Sequence, residues 1–194
     1  MKDTLRFYEN IYEPLFQKGY TKKSNRAAPS IEALERWQES VGVVFNSVLD
    51  VGCAWGKTLT YWKEQNIPAE GVDVSPRAVH RCKSNGLKAH HASATQLSMF
   101  ADKQFDLYMS TDVYEHLREE DLVDAIHEAK RVTKRFILIR AHPTIDKRGE
   151  LHLTVWSNEK WKEFFESQGL EIIPIGNEGS WHYKNTHLMR IPEE

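Results

Sequence analysis

Cysteine is scarce in this chain of 194 residues: Cys53 and Cys82, 29 positions apart, are the only two. With no Cys-x-x-Cys pair, the common zinc and redox motifs are excluded, and two reduced thiols in a cytoplasmic protein are expected. Charge of one sign is equally lacking, since 26 Lys and Arg face 28 Asp and Glu. No footprint for a nucleic-acid backbone shows in that total. Long apolar runs are missing too. The longest aliphatic one, Phe136-Ile137-Leu138-Ile139, is far short of a membrane span, and the opening MKDTLRFYEN lacks the apolar core of a secretion signal. A soluble chain of one well-buried domain is expected.

What the sequence does contain is a repeated order of short apolar run, turn and helix-period segment, which reads as α/β with a mainly parallel sheet. Strands are expected at 47–51, 69–74, 87–92, 105–110 and 135–140, and an antiparallel pair at 172–175 and 186–191 across the turn Gly176-Asn177-Glu178-Gly179. Helices are expected over 58–65, from Ser75-Pro76 to about Ser84, over 119–132 with 122, 123, 126, 129 and 132 inward, and over 157–168. Two more, 3–18 and 31–40, precede the sheet. They either close a face of it or, through Tyr8, Tyr12 or Arg26, reach over a ligand as a lid.

The stretch Val51-Gly52-Cys53-Ala54-Trp55-Gly56-Lys57-Thr58 invites comparison with a phosphate loop. That motif needs four residues between its glycines and this one has three; the dinucleotide pattern G-x-G-x-x-G fails at Ala54. Gly52 suits a close backbone approach and Gly56 suits the start of the next helix against the ligand. Asp73, 17 residues past Gly56 at the end of the second strand, can accept both hydroxyls of a ribose. An adenosine ligand without phosphates satisfies all three features.

Here the chain resembles the class I S-adenosylmethionine-dependent methyltransferases. The resemblance runs through Asp50-Val51-Gly52-Cys53-Ala54-Trp55-Gly56, Gly71-Val72-Asp73-Val74-Ser75, Phe105-Asp106-Leu107, Asp112-Val113-Tyr114-Glu115-His116-Leu117, Arg131-Val132-Thr133-Lys134 and the closing hairpin. It implies a Rossmann-like α/β fold: a seven-stranded, mainly parallel sheet with an antiparallel last strand and helices on both faces. Residues 1–40 would form a helical cap and 41–194 the methyltransferase domain. S-adenosylmethionine would be held by Asp50, Gly52, Cys53, Ala54, Gly56, Asp73, Val74, Ser93, Ala94 and Ser110. Lys57 would point away from the sulfonium. Ser93-Ala94 stands where the family often carries an acidic residue beside Ala, and Ala54 replaces a glycine, which is tolerable only if its backbone is not left-handed.

Methyl transfer from a sulfonium is chiefly a matter of positioning, and an acceptor hydroxyl must also lose its proton. His116, His142 and Asp112 are the candidate catalytic groups. Asp112, Glu115 and His116 fall within about one helical turn, similar to the acidic-x-x-Glu-His cluster of ubiquinone-pathway and small-RNA 2′-O-methyltransferases. That similarity implies a divalent ion such as Mg2+ on Asp112, Glu115, His116 and His152; the other reading is that Glu115 and His116 only cap and orient the loop. Trp156 is expected either to wall the pocket or to staple the following helix, and Trp181 and His182 to pack. His90-His91 is excluded as a metal pair because adjacent strand residues face opposite sides. The acceptor is expected to be a small molecule offering oxygen or nitrogen to a monomer or homodimer, with nucleic acid disfavoured as a partner and no membrane partner. The alternatives are a metal-assisted RNA 2′-O-methyltransferase and a non-catalytic S-adenosylmethionine-binding module.

Overall fold

The computed structural model describes residues 3–20, 27–143, 151–175 and 185–193. Arg26, the turn 176–179, Trp181 and His182 lie outside them. Helices α1 (Thr4–Gln17) and α2 (Ala28–Val41) precede β1 (Val48–Val51), α3 (Lys57–Glu64), β2 (Ala69–Asp73), α4 (Pro76–Ser84), β3 (Lys88–His91) and β4 (Phe105–Thr111). A 3-10 turn, Tyr114–His116, leads to α5 (Glu119–Val132), β5 (Thr133–Arg140), α6 (Asn158–Ser167), β6 (Glu171–Ile173) and β7 (Thr186–Arg190).

The seven strands form one sheet in the order β3-β2-β1-β4-β5-β7-β6. Strands β1 to β5 run parallel, and β7 is antiparallel to both β5 and β6. Order reverses between β1 and β4, so a crevice opens at their carboxyl ends, where ligands bind in such sheets. Alternation along the strands sorts the core. Leu49, Val51, Tyr108, Ile137, Ile139 and Met189 pack with α1, α5 and α6. Val48, Leu107, Met109, Phe136, Leu138 and Leu188 pack with α2 and with Trp62 of α3. The two N-terminal helices therefore do not close the same face.

Local chemistry explains the element ends. Ser75 accepts from the Ala78 N–H with Pro76 at the first helical position, and Ser157 accepts from Lys160 N–H. Trp156 packs its ring 4.8 Å from Trp161, the fourth residue of α6, which is the staple reading and not a pocket wall. On α5 the inward residues are Leu122, Ala125, Ile126, Ala129 and Val132, whereas Val123, expected inside, is 51% exposed. A stripe centred on Ala125 lets the helix approach the sheet closely, and Val123 falls outside it.

Trp161 is fully buried and stacks on Phe165 at 5.8 Å. Its replacement by Ala should cost about 3–5 kcal/mol, measured as a lower urea midpoint with an unchanged slope. An unchanged midpoint would contradict this packing.

Candidate active site

A cavity of about 150 Å³ lies at the carboxyl ends of β1, β2 and β4. Its floor is the glycine turn. Gly52 and Cys53 N–H groups both donate to the Val72 carbonyl, at 2.8 and 3.0 Å, which curls the chain across the end of β2. Gly52 has φ +83°, and a Cβ there would stand 2.2 Å from Val113 Cγ2. The loop after β4 thus packs directly on the turn, and only glycine fits. Gly56 faces away: a Cβ on it would meet Cys82 Sγ and Leu87 Cδ1 at 2.8 and 2.7 Å. Its role is to seat α3 against α4, and it does not line the cavity. Ala54 has φ +46°, contrary to the expectation of an ordinary backbone. Its N–H donates to Asp73 Oδ2 at 2.8 Å, a bond that holds the residue in a conformation disfavoured by about 1–2 kcal/mol.

Asp73 closes the side of the cavity and also accepts from Ser75 N–H at 2.8 Å. Burial raises its carboxyl to about 6, against the opposing pull of the Ser75 and Ala54 N–H groups. Asp50, expected on the ligand, lies behind the turn and outside the cavity wall, 2% exposed, with Oδ2 lacking any hydrogen-bond partner. Burial, and then repulsion from Asp73, push Asp50 up to about 7. Two carboxylates at adjacent strand ends, one with an unsatisfied oxygen, suit a ligand that brings positive charge and ribose hydroxyls. Cys53 and Cys82 are buried free thiols; their mutual hydrogen bond, burial and the nearby Asp73 raise the Cys53 thiol.

The roof was only partly foreseen. Tyr8, Tyr12, Phe16 and Tyr20 line the cavity, and the first three are also buried in the core on the sheet, so α1 closes that face and borders the cavity at once. An aromatic at every fourth position is the sequence signal that identifies all four. Trp55 joins them, its ring 5.2 Å from Phe16 and its Nε1–H donating to Tyr20 O at 2.6 Å. Val74, Ser93 and Ala94 form the far wall. Lys57 is exposed at the start of α3 and borders the cavity. Ser110, expected on the ligand, spends its hydroxyl on Val51 O at 3.0 Å and lies outside the cavity wall.

Of the candidate catalytic groups, His116 and Asp112 line the cavity and His142 does not. His116 Nδ1 is 2.8 Å from Leu151 O, so Nδ1 carries the proton and Nε2 is the basic nitrogen of the neutral ring. Asp112, at φ +55°, pairs with Arg140 at 3.3 Å, both side chains buried. One ligand atom each from Glu115, His116 and His152 lie within 4.8 Å of one another. Glu115 is fully buried with neither carboxylate oxygen in hydrogen-bonding geometry. Burial and Asp112 hold it well above the usual carboxylate range, while its own and the His142 N–H offset part of the shift. A carboxylate with two imidazoles suits a borderline transition dication and does not fit Mg2+, which demands oxygen ligands. The expected fourth ligand, Asp112, is committed to Arg140. His142 sits behind His152, ring centroids 5.5 Å apart.

A doubly wound sheet with a glycine turn, an acid at the next strand end and an aromatic roof is an arrangement that suits an adenosyl cofactor. Residues 49–136 match the family model of a methyltransferase domain. Over that segment the chain is similar to the S-adenosylmethionine-dependent methyltransferases. No curated protein sequence matches it. In fold it is similar to a SAM-dependent methyltransferase from Archaeoglobus fulgidus, at 20% identity and TM-score 0.66 over 92% of this chain and 99% of that one. It is also similar to magnesium protoporphyrin IX methyltransferase from Synechocystis PCC 6803 with bound S-adenosylhomocysteine, at 14% identity and TM-score 0.73 over 97% and 98%. A third is 1,6-didemethyltoxoflavin-N1-methyltransferase from Burkholderia thailandensis, at 11% identity and TM-score 0.72 over 98% and 88%. Among the described residues no helix is long and apolar enough to cross a membrane.

The folded-state value of Asp50 lies above its unfolded one, so its contribution to stability is fully present below about pH 4 and is lost as pH rises through about 7. Ligand-free protein should therefore lose on the order of a few kcal/mol between those limits. Asp50→Asn should flatten that slope and raise stability at pH 8, read from urea melts across the range. A mutant slope as steep as wild type would contradict the burial of an unpaired carboxylate.

Proposed function

We propose that this enzyme transfers a methyl group from S-adenosylmethionine to an oxygen or nitrogen of a small-molecule acceptor. The carrying observation is the pair of buried carboxylates at the glycine turn, Asp50 with an unsatisfied oxygen. In this reading Asp73 takes the ribose hydroxyls, Asp50 answers the ligand's ammonium from behind the turn by its charge, and the Gly52, Cys53 and Ala54 backbone lies along the ligand. Val74, Ser93 and Ala94 wall the adenine. Gly56 and Ser110 support the turn and strand ends from behind. When bound, the cofactor supplies a methyl on a sulfonium, an electrophile already activated for displacement. The chain's part is to align the acceptor under the α1 aromatics, exclude water, and receive the acceptor proton at His116 Nε2. Asp112, held by Arg140, fixes the loop beside it. His142 does not line the cavity and has no direct role in this reading.

The small-molecule reading draws support from the names of the Synechocystis and Burkholderia neighbours, whose acceptors are a porphyrin and a toxoflavin precursor. Balanced charge stands against the RNA rival, which predicts that nuclease treatment of an extract abolishes acceptor activity. The module rival predicts S-adenosylmethionine binding with no turnover on any acceptor. A metal-assisted route is a second reading, favoured by the convergence of Glu115, His116 and His152. Two buried reduced thiols support the cytoplasm as the compartment, and a monomer or homodimer is the proposed state.

His116→Ala should lower turnover about 10²- to 10⁴-fold while calorimetry shows S-adenosylmethionine affinity within about twofold of wild type. Undiminished turnover would remove His116 as the base. If chelation produces the same loss and Zn2+ or Mn2+ reverses it, the metal-assisted route replaces the simple base.

A further inference from the structure

The segment carrying His116 is gripped from two sides. On one side, Leu151 O meets His116 Nδ1, the Thr154 N–H donates to Glu115 O at 3.0 Å, and the Thr154 hydroxyl donates to Leu117 O at 2.7 Å. On the other side stands α1. Tyr12 stands edge-to-face with the His116 ring, the centroids 5.5 Å apart. Tyr8 places its hydroxyl between two groups at once: it donates to Asp121 Oδ2 at 2.5 Å and accepts from the Arg118 N–H at 2.9 Å.

That second bond lands two residues beyond His116. Arg118 is the N-cap of α5, where no carbonyl of the helix can take its N–H, so that N–H depends on a partner from elsewhere. Its guanidinium grips the same Asp121 through Nε at 2.7 Å and Nη2 at 3.1 Å, and lies over the Phe7 ring at 4.4 Å. Tyr8 is 2% exposed and lines the cavity, and one proton and one lone pair of its phenol are both in use. Removing the oxygen would leave a half-buried N–H and a buried carboxylate oxygen short of a bond, a loss the loop can relieve only by moving.

We propose that Tyr8 is a positioning residue: its hydroxyl ties the docked helix α1 to the His116 segment, so the imidazole keeps its tautomer and orientation only while α1 is down. The helix is then part of the reactive assembly as well as a cover for the ligand. This rests on the reading of His116 as the base, but the coupling itself is measurable without any acceptor.

The test is nitrogen-15 NMR of the imidazole rings in the full chain, with the His116 signal assigned by its disappearance in His116→Ala. Wild type should show a single tautomer protonated at Nδ1, with slow exchange of that proton. In Tyr8→Phe, which keeps the ring, the exchange should be about tenfold faster and the second tautomer should appear. Thr4→Val is the control. It breaks the 2.7 Å contact to the Thr95 hydroxyl, an attachment of the same helix away from His116, and should leave the His116 signal as in wild type. If Tyr8→Phe proves too unstable to record, Asp121→Asn weakens the same hydroxyl bond and should speed exchange several-fold. A wild-type mixture of tautomers, an unchanged signal in the Tyr8 or Asp121 variant, or an equal change in Thr4→Val overturns the proposal. None of those results bears on whether His116→Ala lowers turnover, so a failure of the coupling and a failure of the base are told apart.

Discussion

Two carboxylates buried at neighbouring strand ends, Asp50 and Asp73, are the constraint around which the site is arranged. Each is 2–6% exposed, and a buried anion is tolerated only where donors or a cation answer it. Asp73 is answered by two backbone N–H groups, and those bonds fix the turn after β1. Asp50 is answered by nothing within the described residues for its Oδ2. The strain of Ala54 at φ +46° and the contact of Val113 on Gly52 both follow from holding that turn tight against the strand ends. A methyl donor that carries an ammonium and a sulfonium supplies the missing charge, so the binding floor stores in its free form what the ligand relieves.

Around that floor, three segments distant in sequence meet. Helix α1 supplies the roof, the segment 111–117 supplies the wall with His116, and the stretch from Leu151 to Thr154 braces that wall from behind. Besides Tyr8, further attachments seat α1 and the turn after it: Thr4 to Thr95, Glu9 to His91, Glu13 to Ser75 and Arg77, and Trp55 to the Tyr20 carbonyl. They join β3, α4 and the glycine loop to one helix and the turn after it. Placement of the helix is consequently linked to placement of every surface that the ligand would touch.

Much of this was legible in the sequence because local rules and tertiary structure agree. The serine caps at 75 and 157, the boundaries of α5, the antiparallel closing pair and the glycine turn all follow from spacing and residue type. What was not legible depends on contacts across the chain. Ser110 looks like a ligand group until Val51 O takes its hydroxyl, and Asp112 looks like a free base or metal ligand until Arg140, 28 positions later, pairs with it. Gly56 reads as a ligand glycine because only the fold shows Cys82 and Leu87 behind it. The fourfold spacing of Tyr8, Tyr12, Phe16 and Tyr20 was visible, yet an aromatic stripe on a helix reads equally well as core.

The most direct measurement is calorimetric binding of S-adenosylmethionine at pH 6, repeated in two buffers of different ionisation enthalpy. A carboxyl near 7 in the free protein is mostly protonated at that pH, and a cationic ligand drives it to the carboxylate. Binding accompanied by release of roughly one proton, reduced in Asp50→Asn, is the predicted result. Binding of neither S-adenosylmethionine nor S-adenosylhomocysteine, or binding with no proton released, would contradict the account.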